Sequence, residues 1–334
     1  MLESPATFEA SDPLAPANDV VGPAMQAVER ELGTTYRSSV EIIPEISSHL
    51  IEAGGKRIRP LLLLLCARAS GGDPDTGLDL AVACELLHSA TLLHDDVVDR
   101  SELRRGVPAA PRLFGNSASV LVGDFLLAQA LARVVGHGDL DLLRHLSRVL
   151  AAMAEGELLQ LVRSGSLALS MPDYAEIISG KTAGLFCWCC RAGASLSRDA
   201  ARSEAAASFG RAFGMAFQII DDVLDFVAPP ELSGKDLAND LLQGKATLPL
   251  LLACEEDTAL LARVERAVRS PDLETCSAIA GQVQEGQAID RAIDIARQHA
   301  DRARSCLPRF ASGAASSALA ALSDHVTERV RTDR

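Results

Sequence analysis

Two stretches of this chain carry the same acidic pattern, Asp-Asp-x-x-Asp, and each pattern follows an apolar run. The first lies within residues 84–105, where apolar residues recur at helical spacing and no Gly or Pro interrupts the run. We therefore expect one helix over this whole stretch. At about 100° per residue, one face of that helix carries Cys84, His88, Thr91, Asp95 and Asp99.

Two carboxylates held one turn apart repel each other unless a cation lies between them. Hard oxygen ligands of this kind suit Mg²⁺, which keeps several waters and takes one or two carboxylates together with substrate phosphates. A single Asp-rich turn is more often a solvated acidic surface. The second copy, at residues 217–225, favours the metal site, because Gln218, Asp221 and Asp225 again share a helix face. Two such faces can converge on one diphosphate that is held by several metal ions.

The composition favours helices over sheets. Of the 334 residues, 48% are hydrophobic but only 4% are aromatic, so the core is expected to be mostly Leu, Ala and Val. No alternating strand pattern and no fixed repeat appears. Helices are predicted near 60–70, 77–102, 117–135, 139–164, 172–196 and 200–227, with shorter ones to about 331. The predicted fold class is all-α, with a flexible tail at 1–18 and one large helical bundle around a central cavity over 19–334.

Charge and cysteine content limit the partners and the cellular compartment that can be expected for the protein. A net charge of −13 argues against a nucleic-acid surface and a polybasic membrane anchor, and the apolar run 61–66 is far too short to span a bilayer. The first residues lack the basic start and apolar core of a secretory signal, so we expect a reduced, cytoplasmic protein. The Cys-x-x-Cys at 187–190 permits a zinc or redox role, but no second pair of ligands lies nearby, which favours buried structural thiols.

An acidic protein that binds a diphosphate also needs a local cluster of Lys and Arg. A glycine turn at 54–55 precedes Lys56, Arg57 and Arg59, and Pro60 is expected to start the next helix. Basic groups between a glycine turn and a helix N-terminus suit a phosphate. Taken alone, this segment fits an ordinary loop with solvated charges equally well.

These features occur together, and in the same order, in one known family. The two Asp-rich motifs, GGKRIRP at 54–60, RRG at 104–106, KTA at 181–183 and the Gly-Lys pairs at 234–235 and 244–245 resemble the trans-isoprenyl (polyprenyl) diphosphate synthases. SVLVGDFL at 119–126 and AEGELLQL at 154–161 make the long-chain, octaprenyl-type bacterial enzymes the closest comparison. The resemblance runs from about residue 38 to the C-terminus. It implies an isoprenoid synthase-like fold, a homodimer, and Mg²⁺-dependent head-to-tail condensation of isopentenyl diphosphate onto an allylic diphosphate.

The resemblance also implies a role for each matching residue. The residues expected to bind metal directly are Asp95, Asp99 and Asp221. Those expected to bind metal or to support these ligands are Asp96, Asp222 and Asp225. The allylic diphosphate is expected to contact Arg104, Lys181, Lys235 and Lys245, and isopentenyl diphosphate to contact Lys56, Arg59, His88 and Arg105. The residues expected to turn oxygen dipoles towards the carbocation are Thr182 and Gln218.

Three positions depart from the family pattern. Arg100 replaces a usual acidic residue after the first motif, Val107 replaces a common Lys, and Asn239 replaces an Asp. Arg100 is expected either to pair with Glu102 or Asp96, or to weaken metal binding. None of these departures removes a primary ligand, so activity is still expected.

The length of the product is expected to depend on the first-motif helix. In the resembling family the growing tail extends along this helix, and the residues four and five positions before its first Asp set the depth of the pocket. Here these are Thr91 and Ala90, both small, so a product of C35 or longer is expected. A shorter geranylgeranyl or farnesyl product is the alternative. The candidates for the tunnel floor are Phe125 and the stretch 149–153.

Two other classes of protein remain open. A class I terpene cyclase would share the all-α fold and the first Asp-rich motif, but its second metal site usually has an Asn/Ser/Glu pattern, and it needs no second diphosphate site. A non-catalytic prenyltransferase subunit typically loses Asp residues from one motif. Both motifs are intact here and the basic turn at 54–59 is present, which favours the synthase.

Overall fold

The computed structural model describes residues 14–164, 170–228 and 239–332. Within them the chain is almost entirely helical, which confirms the all-α prediction. The first part contains α1 (Ala15–Thr35), α2 (Ile42–Glu52), α3 (Ile58–Ala69), α4 (Leu78–Val98), β1 (Leu103–Arg104), β2 (Val107–Pro108), α5 (Ala110–Phe114), α6 (Asn116–His137) and α7 (Leu140–Arg163). The second part contains α8 (Met171–Ile178), a π-helical turn (Ser179–Ala183), α9 (Gly184–Ser195), α10 (Ala200–Val227), α11 (Asn239–Leu242), α12 (Leu248–Glu256), α13 (Thr258–Arg269), α14 (Leu273–Glu285), α15 (Ala288–Arg304) and α16 (Ala314–Thr332). Short 3₁₀ turns cover Pro74–Gly77 and Leu307–Arg309.

Helix α1 begins earlier than the sequence predicts. The predicted tail reached residue 18, but the helix starts at Ala15 and carries Pro16 in its first turn. Proline is tolerated there because the first backbone N–H groups of a helix have no partner within it. Ala17 and Val21 are buried, so the start of α1 is already part of the core. The tail boundary at residue 18 is therefore wrong, and residues 1–13 lie outside the described part.

Helix α3 lies at the centre of the bundle. Every residue from Leu61 to Cys66 is essentially inaccessible to solvent, as expected for a helix that is apolar on all sides. It packs against α1, α4, α9 and α16. The contact with α9 is close because Gly193 has no side chain: a Cβ there would collide with the carbonyl oxygen of Leu63.

The two helices that carry the Asp-rich motifs pack on either side of this centre. Helix α4 packs along α6, and α10 packs against α9 and α15. The N-cap of the long α10 is Asp199, whose carboxylate accepts hydrogen bonds from the backbone N–H groups of Ala201 and Arg202. Such a cap satisfies N–H groups that a helix start otherwise leaves unpaired. Each motif helix is buried on most of its surface and turns one face to a central cavity.

The predicted helix over 84–105 is wrong beyond residue 98. Helix α4 ends at Val98, and Arg100 has a positive φ of 52°, which a right-handed helix cannot accommodate. A two-stranded hairpin follows, in which Leu103 pairs with Pro108 and Arg104 with Val107. Its two loop residues, Arg105 and Gly106, both have positive φ, as a tight type I′ hairpin turn requires. The RRG motif is therefore a turn. The preceding residues have helical spacing, and for this reason the sequence predicts a helix here instead.

Two helices in the described residues are long and apolar enough to cross a bilayer. They are the segment Pro74–Val98 and helix α6. The first is a core helix, with 67% of its apolar stretch buried, whereas only 33% of the apolar stretch of α6 is buried. Core helices of soluble proteins meet the same two criteria, so length and composition alone are weak evidence for a membrane span.

Candidate active site

The two Asp-rich helices border one central cavity of about 1570 Å³. Helix α4 contributes Asp95 and Asp99 to its wall, and α10 contributes Asp221 from the opposite motif. Helix α7 and the π-helical turn add Glu157 and Lys181. The start of α3, the β1–β2 hairpin, α11 and α16 form the rest of the polar wall. Two acidic faces that are distant in sequence thus meet at one space, next to several cations.

The carboxylates of the first motif have different surroundings. Asp95 and Asp99 line the cavity, and the Lys245 ammonium group donates a hydrogen bond to Asp99 Oδ2 at 2.8 Å. Asp96 is fully buried and does not line the cavity. Its Oδ1 accepts from Arg104 Nε at 2.9 Å and also from Arg104 Nη2. Asp96 therefore orients Arg104 from behind the cavity wall, a supporting position rather than that of a direct metal ligand.

Asp95 is held in an environment that disfavours its negative charge. The pKa of Asp95 is raised to about 6, chiefly by burial; Lys181 opposes the shift, and the charges of Glu157 and Asp99 add to it. Near neutral pH the cavity therefore holds carboxylates that burial and mutual repulsion destabilise. A cation bound between them would relieve that cost.

The three carboxylates of the second motif also have different surroundings. Only Asp221 lines the large cavity, and Arg329 Nη1 of α16 lies 2.8 Å from Asp221 Oδ1. Asp222 is buried below it. Asp225 Oδ2 accepts a hydrogen bond from the backbone N–H of Asp240 at 3.0 Å, which ties α10 to the start of α11.

Two of the three lysines predicted to bind the allylic diphosphate, Lys181 and Lys245, have carboxylate partners. Lys181 Nζ lies 2.5 Å from Glu157 Oε2 and donates to Gln160 Oε1 at 3.0 Å. Burial lowers the pKa of Lys181, but Asp95 and Glu157 outweigh it and raise the pKa above its ordinary value, so the ammonium group stays charged. Lys235 lies outside the described residues.

The backbone around Lys181 is brought close to α7 by two glycines. A Cβ on Gly180 would lie 2.5 Å from the carbonyl oxygen of Ala152, and a Cβ on Gly156 would lie 3.1 Å from the carbonyl oxygen of Ile177. The first distance is shorter than Cβ contacts allow, and the second is tighter than nearly all of them. The glycines of the SGKTA and AEGELLQL segments thus let α7 and the π-helical turn touch, and this contact sets Glu157 beside Lys181.

A chain of three hydrogen bonds runs inward from the cavity. Thr182 Oγ1 donates to Gln218 Oε1 at 2.7 Å, and Gln218 Nε2 donates to Asp222 Oδ1 at 2.8 Å. Tyr174 Oη donates to Asp222 Oδ2 at 2.6 Å. Burial raises the pKa of Asp222 to about 8, with the charge of Asp240 adding to the shift and the two hydrogen bonds opposing it.

The residues predicted to bind the second diphosphate all line the cavity. They are Lys56, Arg59, His88 and Arg105. The guanidinium of Arg59 lies 4.6 Å from the ring centroid of Phe186, a cation–π contact, and burial lowers its pKa. Burial and then the neighbouring arginines, Arg59 first, hold the pKa of His88 well below its usual range. His88 is therefore neutral and offers one ring N–H among the charged groups.

Arg57 lines the cavity, but it also holds the basic turn in place. It has a φ of 47°, its Nη1 donates to the buried Glu85 at 2.9 Å, and its Nε donates to Glu29 at 2.8 Å. Gly55 lies directly against Arg105: a Cβ at Gly55 would be 2.9 Å from Arg105 Nη1. The glycine turn and the RRG hairpin are therefore packed together.

The apolar end of the cavity lies between α4, α6 and α7. Ala90 and Thr91 line it from α4, together with Leu127 of α6 and with Leu150 and Met153 of α7. The Thr91 hydroxyl donates to the carbonyl oxygen of His88 in its own helix at 2.8 Å. Two members of the predicted 149–153 floor line the cavity. The other predicted floor residue, Phe125, does not line it.

The expected pairing of Arg100 is not found among the described residues. Glu102 pairs with Arg112 at 2.8 Å, and Asp96 pairs with Arg104. Arg100 is exposed and lines the cavity near Asp99. Its positive charge therefore remains available next to the first motif.

Several residues of the site escaped the sequence analysis. Glu157 and Gln160 could have been identified from the sequence, because they stand three positions apart in AEGELLQL and thus share a helix face. Glu85 is a charged residue within an otherwise apolar helix, which is also a recognisable signal. Tyr174 and Arg329 gave no such signal, because their partners lie far away in sequence.

Among the described residues, no three His, Cys, Asp or Glu side chains come close enough to form a complete metal site by themselves. The cavity instead offers separate carboxylates on facing helices, with cations behind and beside them. Such a site completes the coordination of a hard divalent cation with water and with phosphate oxygens of a ligand. The fold and the cavity together define an all-α protein whose central site suits a polyanionic ligand with an apolar tail.

Comparisons with known proteins give the family directly. The sequence profile of the polyprenyl synthetase family matches residues 40–282. Over 250 residues, 75% of this chain and 77% of the relative, the chain is 37% identical to octaprenyl diphosphate synthase of Escherichia coli K12. It is also 37% identical to the geranyl-diphosphate-specific all-trans-nonaprenyl-diphosphate synthase of Rhodobacter capsulatus over 300 residues, 86% of this chain and 90% of that enzyme.

The structure is similar to that of a polyprenyl synthase from Caulobacter crescentus CB15, which was solved in complex with calcium and isoprenyl diphosphate. The TM-score is 0.91 and the identity 41%, covering 95% of this chain and 98% of that one. This chain belongs to the polyprenyl synthetase family, and it is a prenyltransferase of the trans-prenyl diphosphate synthase type.

Proposed function

We propose that this enzyme is a long-chain trans-polyprenyl diphosphate synthase, which condenses isopentenyl diphosphate head-to-tail onto an allylic diphosphate in a Mg²⁺-dependent reaction. The observation that carries the proposal is one cavity that combines two facing Asp-rich helices, two groups of cations and an apolar end at which α4 contributes the small residues Ala90 and Thr91. A site for a single diphosphate would need only one of the two cationic groups.

The proposed metal ligands are Asp95, Asp99 and Asp221. The raised pKa of Asp95 and the cations that now neutralise Asp99 and Asp221 indicate that this wall needs positive charge. When bound, Mg²⁺ supplies charge that stabilises the leaving pyrophosphate. The complex of the Caulobacter relative with calcium and isoprenyl diphosphate supports a divalent cation in this role.

The side chains of the first cationic group bind and orient the allylic diphosphate. Lys181, Lys245 and Arg104 stand along the same wall as the carboxylates, and Lys235 is assigned to this group by the family motif alone. Positive charge on this wall lowers the barrier to ionisation because it stabilises the pyrophosphate as the C–O bond breaks. Thr182 and Gln218 present oxygen atoms to the carbocation that remains, which favours its formation.

The second cationic group binds isopentenyl diphosphate. Lys56, Arg59 and Arg105 supply the charge, and neutral His88 supplies one N–H donor. Bound there, the double bond of isopentenyl diphosphate faces the allylic carbon, attacks the carbocation and loses a proton. The product is again an allylic diphosphate, one isoprene unit longer, so the reaction can repeat.

The long-chain assignment is supported by the apolar end of the cavity, where Ala90 and Thr91 provide no aromatic barrier. It is also supported by the long products in the names of two relatives, octaprenyl and nonaprenyl diphosphate synthase. A reducing, cytoplasmic setting is part of the proposal, since all eight cysteines are free thiols. So is a homodimer, because α6 is strongly apolar yet only one third buried.

The test is to incubate the purified enzyme with isopentenyl diphosphate, an allylic primer and Mg²⁺, and to size the products by mass spectrometry. We expect prenyl diphosphates of C35 or longer, and none after metal chelation. The variant Asp221→Asn should be inactive, whereas Asp141→Asn, an exposed change on α7 outside the cavity, should behave as wild type. A hydrocarbon formed from the primer alone would indicate a cyclase instead, and no product with any primer would indicate a non-catalytic subunit.

A further inference from the structure

We infer that Tyr174 is a positioning residue: through Asp222 it fixes the amide orientation of Gln218, and thereby the oxygen atoms that Gln218 and Thr182 present to the reacting carbocation. The inference rests on the proposed function, because it concerns a residue behind the proposed carbocation site. Tyr174 itself does not line the large cavity and has no contact with substrate assigned to it.

The geometry consists of three short hydrogen bonds between three elements. Tyr174 of α8 donates to Asp222 at 2.6 Å, and the same carboxylate accepts from Gln218 at 2.8 Å, one turn earlier on α10. Gln218 Oε1 accepts from Thr182 of the π-helical turn at 2.7 Å. Tyr174 is 5% exposed and Asp222 is 4% exposed, so bulk water does not compete directly for these bonds.

The amide of Gln218 could otherwise adopt either of two orientations. Its two ends have nearly the same shape but opposite hydrogen-bonding character. Tyr174 engages Oδ2, the oxygen that would carry the proton of a neutral carboxyl, so Oδ1 is an acceptor in either protonation state. It therefore selects the orientation in which Gln218 Nε2 points inward. The amide oxygen is then left for Thr182, and both residues line the cavity. The reversed amide would bring N–H donors, the positive end of the dipole, towards a developing cation.

Asp222 needs a second contact to act as this anchor. A carboxylate can rotate about the bond that joins it to its Cβ, and terminal rotations of this kind have broad energy wells. With Oδ2 held by Tyr174 and Oδ1 by Gln218, the plane of the carboxylate is fixed from both sides. Tyr174 is in turn held by α8, which begins with a capping box at Ser170 and Asp173.

A small chamber beside Tyr174 allows a positioning role to be distinguished from a purely structural one. It measures about 90 Å³ and is lined by Tyr174, Asp222, Gln218 and Thr182 among others. Polar chambers of this kind can hold water that hydrogen-bonds to buried groups. If the Tyr174 hydroxyl is removed, water can therefore replace it as a donor to Asp222, but water on its own does not fix the direction of the carboxylate. The loss is expected in the rate of reaction more than in stability.

The test compares Tyr174→Phe with Tyr36→Phe. The hydroxyl of Tyr36 is also buried, but it has no hydrogen-bond partner among the described residues, so it is a matched control. With both substrates saturating, we expect kcat of Tyr174→Phe to fall on the order of tenfold, the upper end of what one hydrogen bond contributes. KM for each substrate should stay within about twofold and Tm should change little, because no substrate contact is removed. Tyr36→Phe should match wild type.

A double-mutant cycle with Asp222→Ala supplies the second readout. If Tyr174 acts only through Asp222, the double variant should be no slower than Asp222→Ala alone. The inference is overturned if kcat of Tyr174→Phe equals that of wild type, if its loss appears in Tm or KM instead, or if the two substitutions are additive in kcat. A wild-type enzyme without condensation activity would contradict the proposed function, whereas an active wild type with an equally active Tyr174→Phe contradicts only this inference.

Discussion

Adjacent aspartates within each Asp-rich motif have different surroundings, and burial decides which of them can reach a metal ion. Asp95 and Asp99 line the cavity, whereas Asp96 lies behind it and holds Arg104. In the second motif Asp221 lines the cavity, and Asp222 instead accepts from Gln218 and Tyr174. The motif letters alone treat these carboxylates as equivalent.

The charge of Asp95 should destabilise the metal-free protein at neutral pH. Its pKa rises from 3.8 to about 6 on folding, so the folded state binds the proton more tightly and loses stability as pH rises through this range. Asp95→Asn, measured with EDTA, should therefore raise the free energy of unfolding above pH 6, by at most about 3 kcal/mol, and the gain should vanish near pH 4. Turnover with Mg²⁺ should be lost.

Asp141→Asn, an exposed substitution, serves as the control in urea unfolding at both pH values. A variant Asp95→Asn that is less stable than wild type at high pH would show that the carboxylate is stabilised in the folded, metal-free state.

The assignment of the two cationic groups is tested at Lys56. Lys56→Ala should raise KM for isopentenyl diphosphate by about tenfold to a hundredfold, since charge-assisted contacts to phosphate are worth about 1.5–3 kcal/mol. KM for the primer should change much less. Arg37→Ala, exposed at the end of α1 and outside the cavity, is the control. A larger loss for the primer would mean that the two diphosphate sites are reversed.

Much of the site can be predicted at the residue level because its chemistry depends on charged groups in short motifs. Lys56, Arg59, His88 and Arg105 were identified in this way, and all four line the cavity. The partners of these groups could not be predicted. The contact of Tyr174 with Asp222 depends on how α8 packs against α10, and no local pattern in the sequence specifies that packing.

At the scale of elements, helix boundaries in the middle of the chain follow the sequence closely, since apolar periodicity and Asp or Ser caps determine them. The predicted boundary is wrong at the end of α4. Residues 99–105 have helical spacing and no Gly or Pro, yet Arg100 and Arg105 adopt positive φ and a hairpin forms. Tertiary contacts override weak local preference here: Arg104 pairs with the buried Asp96, and Arg105 packs on Gly55.

The product tunnel is a property of the element α4, and its depth should depend on Ala90 and Thr91. One helical turn lengthens the tunnel by about 5.4 Å, comparable with one extended isoprene unit. Substituting Phe at both positions should shorten the products to C15–C20 while condensation continues. Ala151→Phe, an exposed change on α7 outside the cavity, should leave the product length unchanged. Wild-type products of C15 or C20 would mean that side chains such as Leu150 or Met153 already close the tunnel.

At the scale of the whole molecule, the described residues form one bundle around one large cavity, and helix α6 leaves an apolar surface uncovered. Leu121 and Val135 of α6 are 66% and 58% exposed, and Leu140 at the start of α7 is 65% exposed. Exposed apolar residues that gather into a large patch mark interfaces in soluble proteins. The sequence could not separate this surface from the core, because α6 is at least as apolar as the core helix α4 although it is less buried.

A second copy of the chain is the proposed cover for this surface. Light scattering coupled to gel filtration should therefore give twice the chain mass of 35.3 kDa. Leu121→Glu should shift the protein towards the monomer, because it places a charge in an apolar interface. Leu273→Glu, another exposed apolar position, on α14, should remain dimeric. A wild type that elutes only as a monomer would contradict the dimer.

The most direct test of the account is the stoichiometry of the reaction in the wild-type enzyme. Each head-to-tail condensation releases one pyrophosphate and consumes one isopentenyl diphosphate, so the two amounts, measured in the same sample with primer and Mg²⁺, should rise together in a one-to-one ratio. Both should stop when EDTA is added. Pyrophosphate release without consumption of isopentenyl diphosphate, or release that continues in EDTA, would contradict the claim that the two Asp-rich helices and the second cationic group act on two diphosphates in one metal-dependent site.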